Sequence, residues 1–390
     1  MTAAIASGEL PDLAMTRGGA FGLYIHVPFC ATRCGYCDFN TYTPGELGGA
    51  TPEGWLAAVR QELELAAGRL PGPLVDTVFV GGGTPSLLGH TGLAAVLDAI
   101  RDTFVLAPDA EITTESNPES TSPEFFAEIR AAGYTRVSLG MQSAVAHVLR
   151  LLDRTHSPGR AVAAAREAQA AGFAHVNLDL IYGTPGESDD DLRRSVDAVL
   201  SSGADHLSAY ALVVEDGTAL ARRVRRGEMP AVDDDVLASR YELLDATVAD
   251  AGFGWYEVSN WSRPGGECRH NLGYWGGGQW WGAGPGAHGY VGRTRWWNVK
   301  HPNAYALQLD QGQVPVADFE TLSDEDRHVE TVLLGIRLRE GLPVAELTPA
   351  EQERSAAVIA EGLLDRVGER LVLTDRGRLL ADGIVRDILE

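Results

Sequence analysis

Three of the four cysteines in this 390-residue chain fall within eight positions, Cys30-Ala-Thr-Arg-Cys34-Gly-Tyr-Cys37, immediately after the apolar run Leu23–Phe29. Thiols crowded on one short loop do not make the disulfide framework of a secreted domain, and this usage points to a reducing cytoplasm. A C-x3-C-x2-C loop can instead supply three thiolates to three irons of a [4Fe-4S] cluster, leaving the fourth iron open to a substrate or cofactor. Structural zinc is the rival reading, but it takes four ligands, usually from paired C-x2-C elements. Only His26 lies nearby, and it sits within the strand. A cluster loop after a first strand fits best at the start of a β/α series whose strand ends converge on one mouth.

The chain from Phe21 to about Tyr256 meets that demand. Apolar, β-rich runs at Leu23–Val27, Val75–Val80, Glu111–Thr114, Arg136–Leu139, Val176–Ile181 and Leu207–Leu212 alternate with helical stretches. Thr51-Pro52 and Ser122-Pro123 each offer an N-cap with proline at the first helical position, and Gly133 and Gly172 sit where helices should stop. Six such units imply parallel strands joined by right-handed crossovers. They are too few for a closed eight-stranded barrel, so the expected fold is an α/β open three-quarter (β/α)6 barrel, with functional residues at the C-terminal strand ends. The pattern changes after Phe253: seven of the eight tryptophans lie between Trp255 and Trp297, in a glycine-rich stretch. From about Leu322 the chain reads as helix, helix, short strand (Leu371–Leu373), helix. The expected divisions are a flexible tail over 1–20, the partial barrel over 21–256, a Gly/Trp-rich extension over 257–321 and a small, winged-helix-like α/β domain over 322–390.

Composition narrows the function. The formal charge is −22, from 32 Lys and Arg against 54 Asp and Glu. A nucleic-acid binder carries a basic face, so DNA and RNA are not expected partners. No segment has the apolar length to cross a bilayer. The first twenty residues lack the basic start and sustained apolar stretch of a signal peptide.

Polar residues gather at the expected strand ends. The second strand ends in Gly81-Gly82-Gly83-Thr84-Pro85, where bare glycine backbone lets a ligand approach; the P-loop pattern is absent. Glu115 follows the third strand and can accept a bond from an ammonium group. Gln142 follows the fourth. Asp179 lies inside the apolar fifth strand, where a carboxylate needs a partner, either a structural hydrogen bond or a ribose diol. Arg154, in Leu-Asp-Arg-Thr-His, can pair with a carboxylate in bidentate fashion.

At the cysteine loop the sequence resembles the radical S-adenosylmethionine (SAM) superfamily, whose open iron chelates SAM and whose protein holds and shields the cofactors. From Tyr24 to the C-terminus it is similar to the oxygen-independent coproporphyrinogen III oxidases and their relatives, the HemW heme chaperones. The resemblance implies that Cys30, Cys34 and Cys37 carry the cluster and that Tyr24 and Tyr36 flank the SAM site. It implies that Gly82, Gly83 and Thr84 line that site, and that Glu115 and Arg154 meet the methionine end or a neighbouring SAM. Gln142 and Asp179 would then bond ribose hydroxyls, and Val213 would meet adenine through its backbone. An electron donor is implied as well.

Two places separate the relatives. The oxidases carry a fourth cysteine two positions after the third, where this chain has Phe39. The phrases Tyr256-Glu257-Val258-Ser259-Asn260-Trp261, His270-Asn271-Leu272-Gly273-Tyr274-Trp275 and Gly282–Tyr290 resemble the chaperones, which bind heme and pass it to acceptor proteins. Imidazole is a standard axial ligand to heme iron, and tryptophan offers a flat apolar face. His270 is therefore the expected heme ligand, projecting from a loop after Arg263-Pro264-Gly265-Gly266; His288 is its rival and Cys268 a lesser one. The bland alternative is that these aromatics close the barrel and His270 is a packed polar residue. The basic run Arg222, Arg223, Arg225 and Arg226 is either a solvated helix face or a grip for porphyrin propionates. Radical decarboxylation of a porphyrinogen, and radical SAM chemistry on some other substrate, are the competing functions.

Overall fold

All six apolar runs form strands: β1 (Phe21–Val27), β2 (Leu74–Gly82), β3 (Val105–Ser116), β4 (Arg136–Gln142), β5 (His175–Tyr182) and β6 (His206–Ala211). They pair in parallel and in sequence order in a computed structural model that describes residues 10–11, 13–16 and 19–390. Eight helices accompany them: α1 (Pro52–Arg69), α2 (Gly89–Thr103), α3 (Pro123–Ala132), α4 (Ala146–Leu151), α5 (Arg160–Ala170), α6 (Asp189–Ser202), α7 (Ala219–Arg225) and α8 (Asp234–Asp250). The caps are those expected. Thr51 accepts from Gly54 N–H, Ser122 accepts from Phe125 N–H, and Gly133 closes α3 at φ 118°, a left-handed turn that favours glycine.

Strand side chains alternate between two faces. Leu23, Ile25 and Val27 are fully buried in the apolar core. The other face of β1, Gly22, Tyr24 and His26, lines the inside of the barrel, where His270 closes over Gly22.

The stretch after Phe253 departs from expectation. Instead of a surface extension it continues the sheet at both open edges. β7 (Gly254–Glu257) and β8 (Asn260–Ser262) add antiparallel strands beside β6. A boundary at 256/257 therefore cuts through β7. Helix α9 (Arg269–Trp275) follows, then β9 (Gln279–Ala283), which pairs parallel to β1, and the antiparallel strands β10 (His288–Val291), β11 (Thr294–Asn298) and β12 (Val316–Thr321), with α10 (Pro302–Asp310) before the last. The result is a twelve-stranded sheet in the order β12-β11-β10-β9-β1-β2-β3-β4-β5-β6-β8-β7. Trp261, Trp281 and Trp296 are fully buried in it, so much of the tryptophan bias serves packing.

The C-terminal unit contains α11 (Asp324–Gly335), β13 (Leu342–Pro343), α12 (Pro349–Ala360), β14 (Leu364–Val367), β15 (Arg370–Leu373), α13 (Asp375–Arg378) and α14 (Ala381–Leu389), with its sheet ordered β13-β15-β14 around a separate apolar core. The hairpin partner β14 escaped the sequence reading because three of its four residues are exposed. The tail is also not loose where it is described. Leu10 is buried, and Thr16 exchanges two backbone bonds with the Gln279 side chain at 3.1 and 3.0 Å. Residues 1–9, 12, 17 and 18 lie outside the described residues. Among the described residues no helix is long and apolar enough to cross a membrane.

Candidate functional site

The cysteine loop caps the C-terminal ends of the parallel strands. Its course is fixed by backbone bonds: Cys30 N–H to Tyr42 C=O at 3.0 Å, Gly35 N–H to Leu152 C=O at 3.3 Å, and Leu220 N–H of α7 to Gly35 C=O at 2.8 Å. All three thiols are free and half-buried. Cys30 Sγ lies 3.6 Å from Thr84 Oγ1, and Arg154 Nη1 lies 3.5 Å from Cys34 Sγ. Among the described residues no three His, Cys, Asp or Glu side chains gather closely enough for a single metal ion. Burial pushes the Cys30 thiol up and the Cys37 thiol up to about 11, so metal binding here must release protons.

Below the loop, Gly82, Glu115, Asp179 and Arg154 approach one another. Gly82 N–H donates to Glu115 Oε2 at 2.9 Å. The neighbouring N–H groups of Gly83 and Thr84 are spent on Val27 and Phe29 carbonyls at 2.7 and 2.8 Å, which welds the glycine turn to the end of β1. A Cβ at Gly83 would stand 2.5 Å from the Phe29 carbonyl oxygen, so the turn requires glycine. Burial, then the Asp179 charge, raise Glu115 to about 8. Burial also raises Asp179, to about 6, against bonds from Asn177 Nδ2 at 2.6 Å and Ser138 Oγ at 3.2 Å. Arg154 faces Asp179; its Nη2 reaches Gly140 C=O at 3.4 Å, and its buried Nε has no hydrogen-bond partner among the described residues. Gln142 holds a left-handed backbone at φ 66° beside a register shift in β4, strain of the kind that collects at ligand sites. Tyr36 packs from the loop against an apolar cluster containing Val148 and Leu220. Tyr24 sits deeper, its ring stacked on Phe79 at 6.3 Å and its hydroxyl 3.0 Å from His26 Nδ1. Val213 stands at the rim, 59% exposed.

His270 is elsewhere. It does not project from a loop; it is carried by α9 into the N-terminal end of the barrel, opposite the cysteine mouth. It is buried, stacked on Phe79 at 5.2 Å, with Nδ1 2.8 Å from Thr77 Oγ1 and Nε2 2.8 Å from Tyr274 OH. The physical reason is Glu111, which accepts from the His270 backbone N–H at 3.1 Å and from Cys268 Sγ at 3.4 Å while bound to Arg136 at 3.0 Å. A buried ion pair thus anchors the plug. Burial lowers His270 to about 4, keeping it neutral. His288, by contrast, is exposed at the start of β10, its ring stacked on Trp297 at 5.9 Å. Three of the four arginines in the basic run at α7 are engaged locally: Arg222 caps Gly217 C=O, Arg223 reaches Leu151 C=O and Arg226 pairs with Glu228, while Arg225 is exposed.

The sequence reading missed Ser138 and Ser208, which with Asn177 surround Asp179, and His206, which bonds Asn177 from behind. Their signal was period-two polarity within otherwise apolar strands, Arg136-x-Ser138, Asn177-x-Asp179 and His206-x-Ser208. A recess of about 790 Å³, lined by Leu13–Thr16, Phe21, Leu74 and Asp76, lies at the barrel's other end, away from this chemistry.

A three-cysteine loop over the mouth of an open parallel barrel, with buried carboxylates and a guanidinium beneath it, defines a radical SAM protein. The radical SAM superfamily model matches residues 24–199, and the HemN C-terminal domain model matches residues 322–380. The chain is 71% identical over 381 residues to the heme chaperone HemW of Mycobacterium tuberculosis, covering 98% of each chain, and 32% identical over 386 residues to that of Escherichia coli, covering 95% of this chain and 98% of the other. It is 37% identical over 346 residues to the bovine mitochondrial radical S-adenosyl methionine domain-containing protein 1, covering 89% and 73%. It belongs to the HemW family. The solved coproporphyrinogen III oxidase HemN of E. coli has the same fold, with a TM-score of 0.83 over 96% of this chain and 91% of that one at 22% identity. The superfamily's cofactors are a [4Fe-4S] cluster and SAM.

Proposed function

We propose that this protein is a heme chaperone, binding heme and passing it to acceptor proteins, with a radical SAM barrel that holds the cluster and SAM. The observation that carries the reading is near full-length identity of 71% to a protein named for that role. Phe39 supports it: 60% exposed on the cysteine loop, it stands where the resembling oxidases have a further cysteine. Cys30, Cys34 and Cys37 hold the cluster, which supplies one-electron reduction of SAM when bound. The chain's own residues position SAM. Glu115 and the unpartnered Arg154 nitrogen receive the amino and carboxyl groups of the methionine end, Gln142 and Asp179 the ribose hydroxyls, and the Val213 backbone the adenine. Gly82, Gly83 and Thr84 form the floor beside them, and Tyr24 and Tyr36 exclude water from either side.

His270 ligates heme iron only if α9 leaves the barrel. Glycines flank the helix on both sides, Gly265-Gly266 and Gly276-Gly277-Gly278, and supply hinges. A closed plug in which both ring nitrogens are satisfied competes with heme, and that competition favours release to an acceptor. His288 is the second reading, favoured by its exposure and its Trp297 face, and needs no movement.

The test is an anaerobic assay of reconstituted protein with heme and coproporphyrinogen III supplied separately. Heme should give a Soret band, and no protoporphyrinogen IX should form in the presence of SAM and reductant. Turnover of the porphyrinogen would overturn the chaperone reading. In the same titration His270→Ala should weaken heme binding by at least about tenfold, the loss of one charge-assisted or coordinate contact. Unchanged spectrum and affinity in His270→Ala, with loss in His288→Ala, would move the ligand to His288.

A further inference from the structure

A line of hydrogen bonds crosses the barrel interior from the plug to Asp179. Cys268 N–H donates to Tyr256 OH at 3.3 Å, Tyr256 OH meets His206 Nε2 at 2.7 Å, and His206 Nδ1 meets Asn177 Oδ1 at 2.7 Å. The other end of the Asn177 amide, Nδ2, donates to Asp179 Oδ1 at 2.6 Å, and Ser138 Oγ and Ser208 Oγ stand 2.7 and 3.0 Å from it. His206, Asn177 and Tyr256 are all buried.

The polarity of this line is forced. A carboxylate only accepts, so the Asn177 amide must turn its NH2 toward Asp179 and its oxygen toward His206. The oxygen then requires a proton on His206 Nδ1. Burial, with the like charge of Arg136 and His175, holds His206 well below its ordinary value, so the ring is neutral and carries that one proton. Its Nε2 is left as an acceptor, which the Tyr256 hydroxyl satisfies. Each group has one role, and reversing any of them would set oxygen against oxygen at Asp179.

We infer that His206, oriented by Tyr256, is a positioning residue that fixes the Asn177 amide and thereby keeps the Asp179 carboxylate ionised and aimed into the SAM pocket. This deepens the proposed function and rests on Asp179 as the ribose acceptor. Charged and titratable groups facing Asp179 are Arg154 after α4, Glu115 of β3, Tyr36 of the cysteine loop and Tyr210 of β6, and the His206 variants leave them in place. The Asn177 bond pulls the Asp179 carboxyl down against burial. Without it the carboxyl rises, and the ionised form needed by the ribose is lost at a higher pH.

The experiment measures SAM affinity of the cluster-reconstituted protein without reductant, as a function of pH around the Asp179 value of about 6. Wild type should lose affinity as pH falls through that value. Asp179→Asn should bind weakly with this dependence gone. His206→Phe should bind about tenfold more weakly at neutral pH, the scale of one bond to a charged group, with its loss of affinity displaced upward in pH. His206→Gln, whose amide can still donate to Asn177, should restore the wild-type profile. A wild-type profile in His206→Phe, alongside a weakened Asp179→Asn, overturns the positioning role. Unchanged binding in Asp179→Asn overturns the ribose reading itself, and the inference with it. If His206→Phe does not fold, judged by circular dichroism and cluster absorbance, Tyr256→Phe decides. Without the hydroxyl the imidazole loses the bond that holds its ring plane, so its Nδ1–H is no longer held on the Asn177 oxygen and the profile should shift the same way; an unmoved profile overturns the inference.

Discussion

Cys30→Ser, Cys34→Ser and Cys37→Ser are each expected to give folded protein that lacks the brown iron–sulfur chromophore and cannot cleave SAM. Each thiolate holds one iron, so removing any of them leaves a cluster site with two sulfur ligands. The fold should survive because these side chains are half-buried and hydrogen-bonded only weakly, to Thr84 and Arg154. The loop's course depends instead on backbone bonds to Tyr42, Leu152 and α7. Cys268→Ser is the control. Its thiol is buried at the opposite end of the barrel and lies 3.4 Å from Glu111, so this variant should retain full cluster absorbance. Iron and sulfide content with visible spectra after anaerobic reconstitution decides the matter. A colourless Cys268→Ser beside a brown Cys34→Ser would show that the cluster is held elsewhere.

The parallel barrel was legible because each strand is an apolar run broken by capped helices, and because a C-x3-C-x2-C loop must follow a strand end to face a common mouth. Glu115, Gln142 and Asp179 were legible for a related reason. They are polar residues at or just past apolar strands, where such groups either find partners or hold ligands, whereas Arg154 follows α4 and stood out through the phrase Leu-Asp-Arg-Thr-His. What the sequence concealed is the other end of the barrel. The anchor of the plug is Glu111 with Arg136 and Cys268, residues separated by 25 and 157 positions. No local pattern links them, and a Gly/Pro loop before His270 reads as a projecting segment unless that anchor is known. The strands β7 to β12 were hidden by glycine, which dilutes strand periodicity, and by tryptophans whose apolar bulk suits a surface platform as well as a core. In the structure Trp281 and Trp296 pack against each other at 4.9 Å inside the core. His206 was passed over as the first residue of an apolar strand, although its place in line with Asn177 is what orients Asp179.

Glu62→Gln is expected to destabilise the fold by about 3 kcal/mol or more, although α1 reads locally as a polar helix. The signal in the sequence is its position: Trp55, Ala58, Val59, Glu62, Leu63 and Ala66 recur at helical spacing, which places the carboxyl on the buried face. It is fully buried and accepts four bonds, from Trp281 Nε1 at 3.2 Å and Asn298 Nδ2 at 2.8 Å on one oxygen, and from Gly284 N–H at 2.8 Å and Tyr305 OH on the other. Three of these donors belong to the strands and turn that extend the sheet beyond β1, so this one side chain clamps that extension to α1. The clamp also reaches the cysteine loop, since Asn40 bonds the carbonyls of Pro285 and Lys300 in the same extension. A glutamine can accept with one end only; its NH2 would face two donors, leaving buried groups unsatisfied. Burial raises the Glu62 carboxyl from 4.5 to about 7 in the folded protein despite its donors. The folded state therefore binds a proton more readily than the unfolded chain, and wild-type stability from this group declines as pH rises from 4.5 to about 7. The gap between wild type and Glu62→Gln should accordingly be widest in mild acid and narrow toward neutrality. Urea unfolding of both proteins at matched pH values measures it. Equal midpoints at every pH would mean that the four bonds contribute nothing to holding the extension, while a gap that widens with pH would mean that the carboxylate is ionised well below 7 in the folded state.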